Sequence, residues 1–155
     1  MPRLPKPPPF SASGPSARGS VDEVEQQFYE AMRRADLDAL MALWTDDDDV
    51  FCVHPGGVRV IGPAAVRASF EGIFANGPVD VHPERVRRVQ ALGFAVHSVL
   101  ECVQVSTPQG KESGWVVASN VYVATAQGWR IVAHHASPGT QRPPQDGTEA
   151  TGVLH

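Results

Sequence analysis

The spacing of apolar residues changes once along the chain, from a helical period in the first half to alternation in the second. Apolar side chains in residues 21–35 recur every three or four positions, which predicts an amphipathic helix. Ser20 and Glu23 form a capping-box pattern at its start. Asp36 is the predicted N-cap of a second, shorter helix. The four aspartates at 46–49 end it, because anions are unfavourable at a helix C-terminus.

Two short strands and a third helix are predicted between residues 50 and 78. Residues 50–54 and 58–61 have the apolar composition of short strands, with a Pro-Gly-Gly turn between them. Pro63 lies in the first turn of the third helix, where proline is favoured. The Asn-Gly-Pro sequence at 76–78 predicts where that helix stops.

From residue 79 onward the apolar residues alternate with polar ones, which is the period of half-buried strands. This pattern predicts strands at 79–91, 94–105, 115–126 and 129–137, with an irregularity at His82 and Pro83. Helices followed by an antiparallel meander are typical of α+β proteins. The predicted fold class is therefore α+β, with three N-terminal helices packed on one face of a curved antiparallel sheet.

Composition divides the chain into a central domain and two different ends. The chain has 155 residues, 14 of them glycine and 14 proline, and its length fits one domain. Six of the 14 prolines lie within the first 20 residues. We predict a disordered Pro-rich arm at 1–19, the folded domain at 20–137 and a flexible C-terminal tail at 138–155.

Charge and cysteine content exclude several function classes. The net charge of −4 argues against a nucleic-acid partner, and no apolar run approaches the roughly 18 residues of a membrane helix. Cys52 and Cys102 lie in apolar stretches and are predicted to be buried thiols of a cytoplasmic protein, since no secretory signal is evident. No metal or cofactor motif is found, and the run at 46–49 is predicted to be a solvated turn rather than a cation site.

Three segments together resemble the nuclear transport factor 2-like superfamily, and within it the SnoaL-like and ketosteroid isomerase-like proteins. They are Asp-Leu-Asp-Ala-Leu at 36–40 leading through Leu-Trp into the aspartates, Val-His-Pro-Gly-Gly at 53–57, and Gly-Trp-Arg-Ile-Val-Ala-His-His-Ala-Ser at 128–137. The last is also similar to the end of the calcium/calmodulin-dependent kinase II association domain. The resemblance implies a cone-shaped fold, with helices on a strongly curved sheet and an apolar pocket at one end. It further implies a homodimer through the convex face of the sheet.

The resemblance assigns roles to His54 and Asn120. His54, before Pro55, occupies the place of the isomerases' general-base aspartate, and a neutral imidazole can accept a proton. The alternative is a strand-end histidine that ties the turn through a hydrogen bond. Asn120 occupies the place of the isomerases' oxyanion-binding acid, and its amide can donate to an oxyanion. The alternative is a structural hydrogen bond to the neighbouring strand.

Two further positions qualify this comparison. Phe28 stands where the isomerases carry their catalytic tyrosine, and a phenyl ring cannot donate to an oxyanion. The isomerase mechanism is therefore not implied unchanged. His134 and His135 are adjacent, so on a regular strand they face opposite ways. Alternation from Trp129 places His135 in the pocket and His134 toward solvent or a partner subunit, unless a bulge intervenes.

The other pocket candidates come from the same alternation on the strands and from aromatic residues of the helices, for which a place in the core is the alternative. On the strand at 94–105, it places Ser98, Leu100 and Cys102 inward and leaves the convex face to His97, Val99, Glu101 and Val103. The predicted ligand-binding residues are Phe28, Trp44, Phe70, Ser98, Leu100 and Tyr122, beside the catalytic candidates His54, Asn120 and His135.

Two classes of function fit these features. The first is a SnoaL-like enzyme, an isomerase, dehydratase or cyclase that moves a proton on a small hydrophobic carbonyl compound without a cofactor. The second is a non-catalytic module that binds a ligand or assembles through the sheet. The sequence leaves open whether any reaction is catalysed.

Overall fold

The computed structural model of the chain describes residues 19–148. The predicted Pro-rich arm, apart from Gly19, and the last seven residues of the predicted tail lie outside this range. None of the helices in the described range is long and apolar enough to span a membrane.

Within residues 19–148, three helices form where the local signals place them. Helix α1 runs over Val21–Arg34 and has the predicted capping box, in which the Ser20 and Glu23 side chains each accept from the other's backbone N–H. Helix α2, Leu37–Met41, is capped by Asp36, and helix α3, Pro63–Phe74, begins with its proline. Helix α3 follows two short strands, in the order that the sequence predicts, so the three helices precede the meander but not the whole sheet.

Six strands in the described part of the chain form one mixed sheet in the order β2-β1-β6-β5-β4-β3. The strands are β1 Phe51–Val53, β2 Arg59–Ile61, β3 Asp80–Ala91, β4 Phe94–Thr107, β5 Gly110–Thr125 and β6 Gly128–Ala136. Strands β3 to β6 form the predicted antiparallel meander. Strand β1 pairs in parallel with β6, so the sheet is not antiparallel throughout. The molecule is therefore an α+β fold with a mixed sheet.

Strand β3 contains an irregularity two residues later than the sequence predicts. The register of β3 against β4 shifts between Glu84 and Arg87, not at His82 and Pro83. Arg85 has a positive φ of 47°, a conformation that non-glycine residues adopt mainly at turns and bulges. Proline is accommodated here because β3 is an edge strand.

A bulge in β6 reverses the predicted orientation of its two histidines. Tyr122 pairs with Ile131 and the preceding Val121 pairs with Ala133, which leaves Val132 as an extra residue. The alternation of side chains restarts after it. His134 is consequently buried and His135 is exposed, so the placement of His135 in the pocket is wrong.

The orientation of β4 is also opposite to the prediction. We call the sheet face that packs against α1 and α3 the inner face, and the opposite face the outer face. His97, Val99 and Glu101 are buried on the inner face, where Val99 belongs to the main core. Ser98 and Leu100 pair with Ser119 and Val117, which are exposed on the outer face. The prediction fails because Leu100 and Cys102 are buried as well, so burial on β4 does not alternate.

The residues after β6 are attached to the outer part of β5. Thr140 and Trp115 exchange two backbone hydrogen bonds of 2.8 and 2.9 Å. Arg85 donates to the carbonyl of Pro144 at 3.0 Å. Residues 142–145 of this segment and Leu100 line a second, open cavity of about 500 Å³. The beginning of the predicted flexible tail thus makes ordered contacts with the domain.

Candidate functional site

A cavity of about 430 Å³ opens between helix α3, the end of α1 and the inner face of the sheet. Its walls are mainly apolar, and volumes of this size are common for sites that bind small molecules. The polar side chains that line it are His54, Glu101, Glu112, Ser113, His134 and Gln141. Glu112 and Gln141 are exposed at the rim, whereas Glu101 and His134 are buried.

Glu101 is the carboxyl group of the cavity interior. It is 5% exposed, and its Oε2 accepts a hydrogen bond of 2.7 Å from the Tyr29 hydroxyl on α1. Burial raises the pKa of Glu101 to about 7; the Tyr29 hydrogen bond opposes this rise and the Glu25 charge adds to it. A carboxyl group with this pKa can donate or accept a proton near neutral pH.

Asn120 lies behind the cavity and connects its polar groups. Its Nδ2 donates to Glu25 Oε2 at 3.2 Å and to Tyr29 Oη at 3.0 Å. Its Oδ1 is 2.5 Å from His134 Nδ1. Both amide protons and the carbonyl are therefore engaged within the protein, as the structural interpretation of Asn120 predicts. In this arrangement the Asn120 amide is not free to donate to an oxyanion.

Glu25 forms the second buried carboxyl group, one layer deeper than Glu101. Tyr122 donates to its Oε2 at 2.5 Å, and His97 Nδ1 lies 3.0 Å from its Oε1 without the alignment of a hydrogen bond. Burial raises the pKa of Glu25, but the contacts with His97, Tyr122 and Asn120 outweigh burial and hold it below its usual value. Glu25 is thus an ionised anchor at neutral pH.

His134 has a defined tautomer. The Nδ2 of Asn120 faces the Glu25 carboxylate, so the amide oxygen faces His134 and its Nδ1 must carry the proton. Burial, with the nearby charges of His54 and His135, lowers the pKa of His134 to about 3. The ring is neutral at ordinary pH, and its Nε2 lies 3.9 Å from Glu101 Oε2.

His54 lies at the end of β1 and contacts helix α3. Its Nε2 is 2.9 Å from Ser69 Oγ, which in turn donates to the Val66 carbonyl at 2.6 Å. Since a carbonyl can only accept, the Ser69 proton is used there, and His54 Nε2–H donates to Ser69. This leaves a lone pair on Nδ1, which lies 3.9 Å from the sulfur of the buried Cys52 thiol. Burial lowers the pKa of His54, so the ring is uncharged at neutral pH and can act as a base.

The structure brings together only part of the predicted site. His54 and Phe70 line the cavity, as predicted. Phe28, Trp44, Asn120 and Tyr122 are buried beside or behind it rather than among its lining residues. The outer face holds Ser98, Leu100 and His135.

Sequence reasoning missed the two buried polar groups that face the cavity, Glu101 and His134. One signal was available for Glu101, which is an acidic residue within an apolar strand. A carboxylate that is buried in such a strand usually has a partner. No comparable signal marks His134, whose orientation depends on the bulge at Val132.

The chain belongs to the SnoaL-like domain family, which matches residues 21–141. This confirms the resemblance to the SnoaL-like proteins of the nuclear transport factor 2-like superfamily. No curated protein sequence matches the chain.

The solved structures that are similar to the chain include two that are at least 30% identical to it. One is a candidate calcium/calmodulin-dependent protein kinase type II association domain from Thiobacillus denitrificans, 33% identical over 77% of this chain and 94% of that one, with a TM-score of 0.69. The other is a candidate dehydratase of the NTF2-like family from Streptomyces avermitilis, 30% identical over 80% of this chain and 97% of that one, with a TM-score of 0.70. A Pseudomonas putida NTF2-like protein of unknown function is 19% identical over 86% of this chain and 96% of that one, with a TM-score of 0.67, which supports the fold alone.

Proposed function

We propose that the protein is a small enzyme that moves a proton on a hydrophobic carbonyl compound, as an isomerase, dehydratase or cyclase does. The observation that carries this proposal is Glu101, a carboxyl group with a pKa of about 7 that faces an apolar cavity with His54 in its wall. The similarity to a candidate dehydratase supports the same class. In this proposal the helices and the sheet form a cone whose open end is the mouth of the cavity.

The two groups have complementary roles. His54 Nδ1 removes a proton from the carbon next to the carbonyl, and the electron pair of the broken C–H bond forms the carbon–carbon double bond of an enolate. Protonated Glu101 donates a hydrogen bond to the carbonyl oxygen as negative charge develops on it. Tyr29 holds the other Glu101 oxygen in place. Return of the proton to carbon completes an isomerisation or an isotope exchange.

The predicted pH dependence is bell-shaped. Activity requires neutral His54, whose pKa burial places below its usual value, and protonated Glu101, whose pKa is about 7. The rate therefore rises as His54 loses its proton and falls as pH passes through 7. Glu101→Gln retains an N–H donor and should abolish the alkaline limb, whereas Glu101→Leu should reduce the rate about 100-fold or more.

Deuterium exchange into a panel of hydrophobic ketones, followed by proton NMR, tests the proposal, because any ketone that fits the cavity reports on proton removal. Glu71→Gln, at an exposed position of α3, is the matched control and should exchange as the wild type does. Exchange that is unaffected by Glu101→Leu and by His54→Gln would contradict the assigned roles.

A non-catalytic module that binds a ligand or assembles with copies of itself is the second candidate function. The observation that favours it is the exposed apolar surface on the outer face, where Phe94 is 52% exposed and Val117 41%. The similarity to a candidate kinase association domain supports it as well. In this case the outer face joins two subunits and the cavity holds a ligand without turnover.

A further inference from the structure

The geometry of the cavity points to a ligand class: we propose that it binds hydrophobic primary amines through Glu101 and discriminates against carboxylates of the same shape. The inference deepens the proposed function, because it concerns the same cavity, but it depends on binding rather than on turnover. It rests on the charges, the rings and the burial of the lining residues.

The charged lining residues are all acidic. Glu101 lies inside the cavity and Glu112 at its rim, and no lysine or arginine is among the described lining residues. The guanidinium of Arg33, near the end of α1, donates to the Val81 carbonyl at 2.9 Å instead. A ligand carboxylate would enter a cavity that offers it no counter-ion and two like charges, which is unfavourable in apolar surroundings.

The remaining walls of the cavity suit a ligand that has an apolar body and an ammonium group at one end. The aromatic residues Phe70 and Phe74 line the cavity among aliphatic side chains. Aromatic faces pack against hydrocarbon and also attract cations. An ammonium group offers three donors, and a carboxylate oxygen is the acceptor that it pairs with most strongly.

Among the titratable groups in and around the cavity, Glu101 is the one whose pKa lies near neutral pH. Tyr29 and Glu25 face it from α1, Cys52 and His54 from β1 and its end, and His134 from β6. Glu25 is ionised, the pKa of Cys52 is about 12 and that of His134 about 3. Burial places the pKa of His54 below its usual value, so His54 loses its charge at a lower pH than that at which Glu101, with a pKa of about 7, ionises.

Isothermal titration calorimetry tests the inference with three ligands that share one carbon skeleton and differ in their polar end group: 4-phenylbutylamine, 4-phenylbutanol and 4-phenylbutyrate. The amine is charged throughout, because alkylammonium groups have pKa values near 10. It should bind about tenfold more tightly at pH 8 than at pH 6, and it should displace about half a proton at pH 7, because Glu101 has a pKa of about 7. The alcohol should show no such pH dependence, and the carboxylate should bind more weakly than the alcohol at pH 8.

Glu101→Gln is the diagnostic variant. Its amine affinity should fall to that of the alcohol and lose its pH dependence, while unchanged alcohol binding shows that the cavity is intact. Glu71→Gln should bind as the wild type does. Equal binding of amine and alcohol by the wild type at pH 8, an amine preference that persists in Glu101→Gln, or no binding of any of the three would each overturn the inference.

Ketone exchange measured on the same protein separates this inference from the proposed function. Ketone exchange without a preference for the amine would support the proposed function and contradict amine binding. A preference for the amine without exchange on any ketone would support amine binding and contradict the proposed function.

Discussion

Two glutamates of the same buried network illustrate how partners decide a residue's chemistry. Glu25 is surrounded by Asn120, His97 and Tyr122, and these contacts hold its pKa below the usual value. Glu101 has one hydrogen bond, from Tyr29, and burial prevails, so its pKa rises to about 7. The network thus keeps one carboxylate ionised and leaves the other poised to exchange a proton.

Glu101 should therefore make folding less favourable as pH rises. Its folded-state pKa is above the unfolded value, so the unfolded chain loses this proton first, and stability is lost between about pH 4.5 and 7. Glu101→Gln removes that loss. In urea unfolding, the stability of the variant relative to wild type should increase by roughly 2–3 kcal/mol from pH 5 to pH 8, at about 1.36 kcal/mol per pKa unit.

The comparison with wild type is needed because other groups titrate in the same range. The pKa values of His54 and His134 are lowered, so each adds stability as pH rises toward its ordinary value, but these contributions cancel in the difference. Glu71→Gln should show no change in its stability difference across the same range. A Glu101→Gln difference that is constant from pH 5 to 8 would mean that Glu101 is ionised throughout.

The chemistry of single residues was only partly predictable from the sequence. His54 could be found because it precedes Pro55 in a recognisable segment. Glu101 could not be found by alternation, because Leu100 and Cys102 on the opposite face are also buried. The pKa of Glu101 depends in part on Tyr29 of α1, which lies 72 residues away from it in the chain.

At the scale of elements, the starts of the helices followed from local signals and the orientations of the strands did not. Strand β5 begins at Gly110, five residues before the predicted start. The capping residues Ser20 and Asp36 fix the starts of α1 and α2, and Pro63 fixes that of α3, as the sequence predicts. One extra residue in β6, Val132, is enough to reverse every side chain that follows it. A bulge of this kind depends on how β5 and β6 pair, which no local pattern records.

The bulge predicts unequal effects for two adjacent histidines of β6. His134→Ala should destabilise the protein by about 2–4 kcal/mol, because it removes the partner of Asn120 Oδ1 and the ring that packs edge-on against Phe28. His135→Ala is the matched control and should change stability by less than about 0.5 kcal/mol, since the side chain is exposed. Chemical denaturation measures both variants. A larger effect at His135 than at His134 would indicate that the side chains of β6 alternate regularly and would contradict the bulge.

At the scale of the whole molecule, the order and spacing of three sequence segments identified the superfamily. The outer face of the sheet has an exposed apolar surface that the sequence did not explain. Helices, a short parallel strand and a four-stranded meander leave one sheet face covered by α1 and α3 and the other largely open. That outer face exposes Val89, Phe94, Val96 and Val117, while Leu100 is buried and lines a cavity together with residues 142–145. Burial of such a patch is the usual way in which an open sheet is stabilised.

The outer face should therefore join two copies of the chain. Light scattering coupled to gel filtration should give a mass near twice 16.6 kDa for the wild type. Val96→Asp should give one chain's mass, because a charge in the middle of an apolar interface loses its hydration without gaining a partner. Val58→Asp, whose residue is 79% exposed but precedes β2 away from this patch, should remain dimeric. A wild type with the mass of one chain, or a Val96→Asp variant that stays dimeric, would show that subunits do not meet on this face.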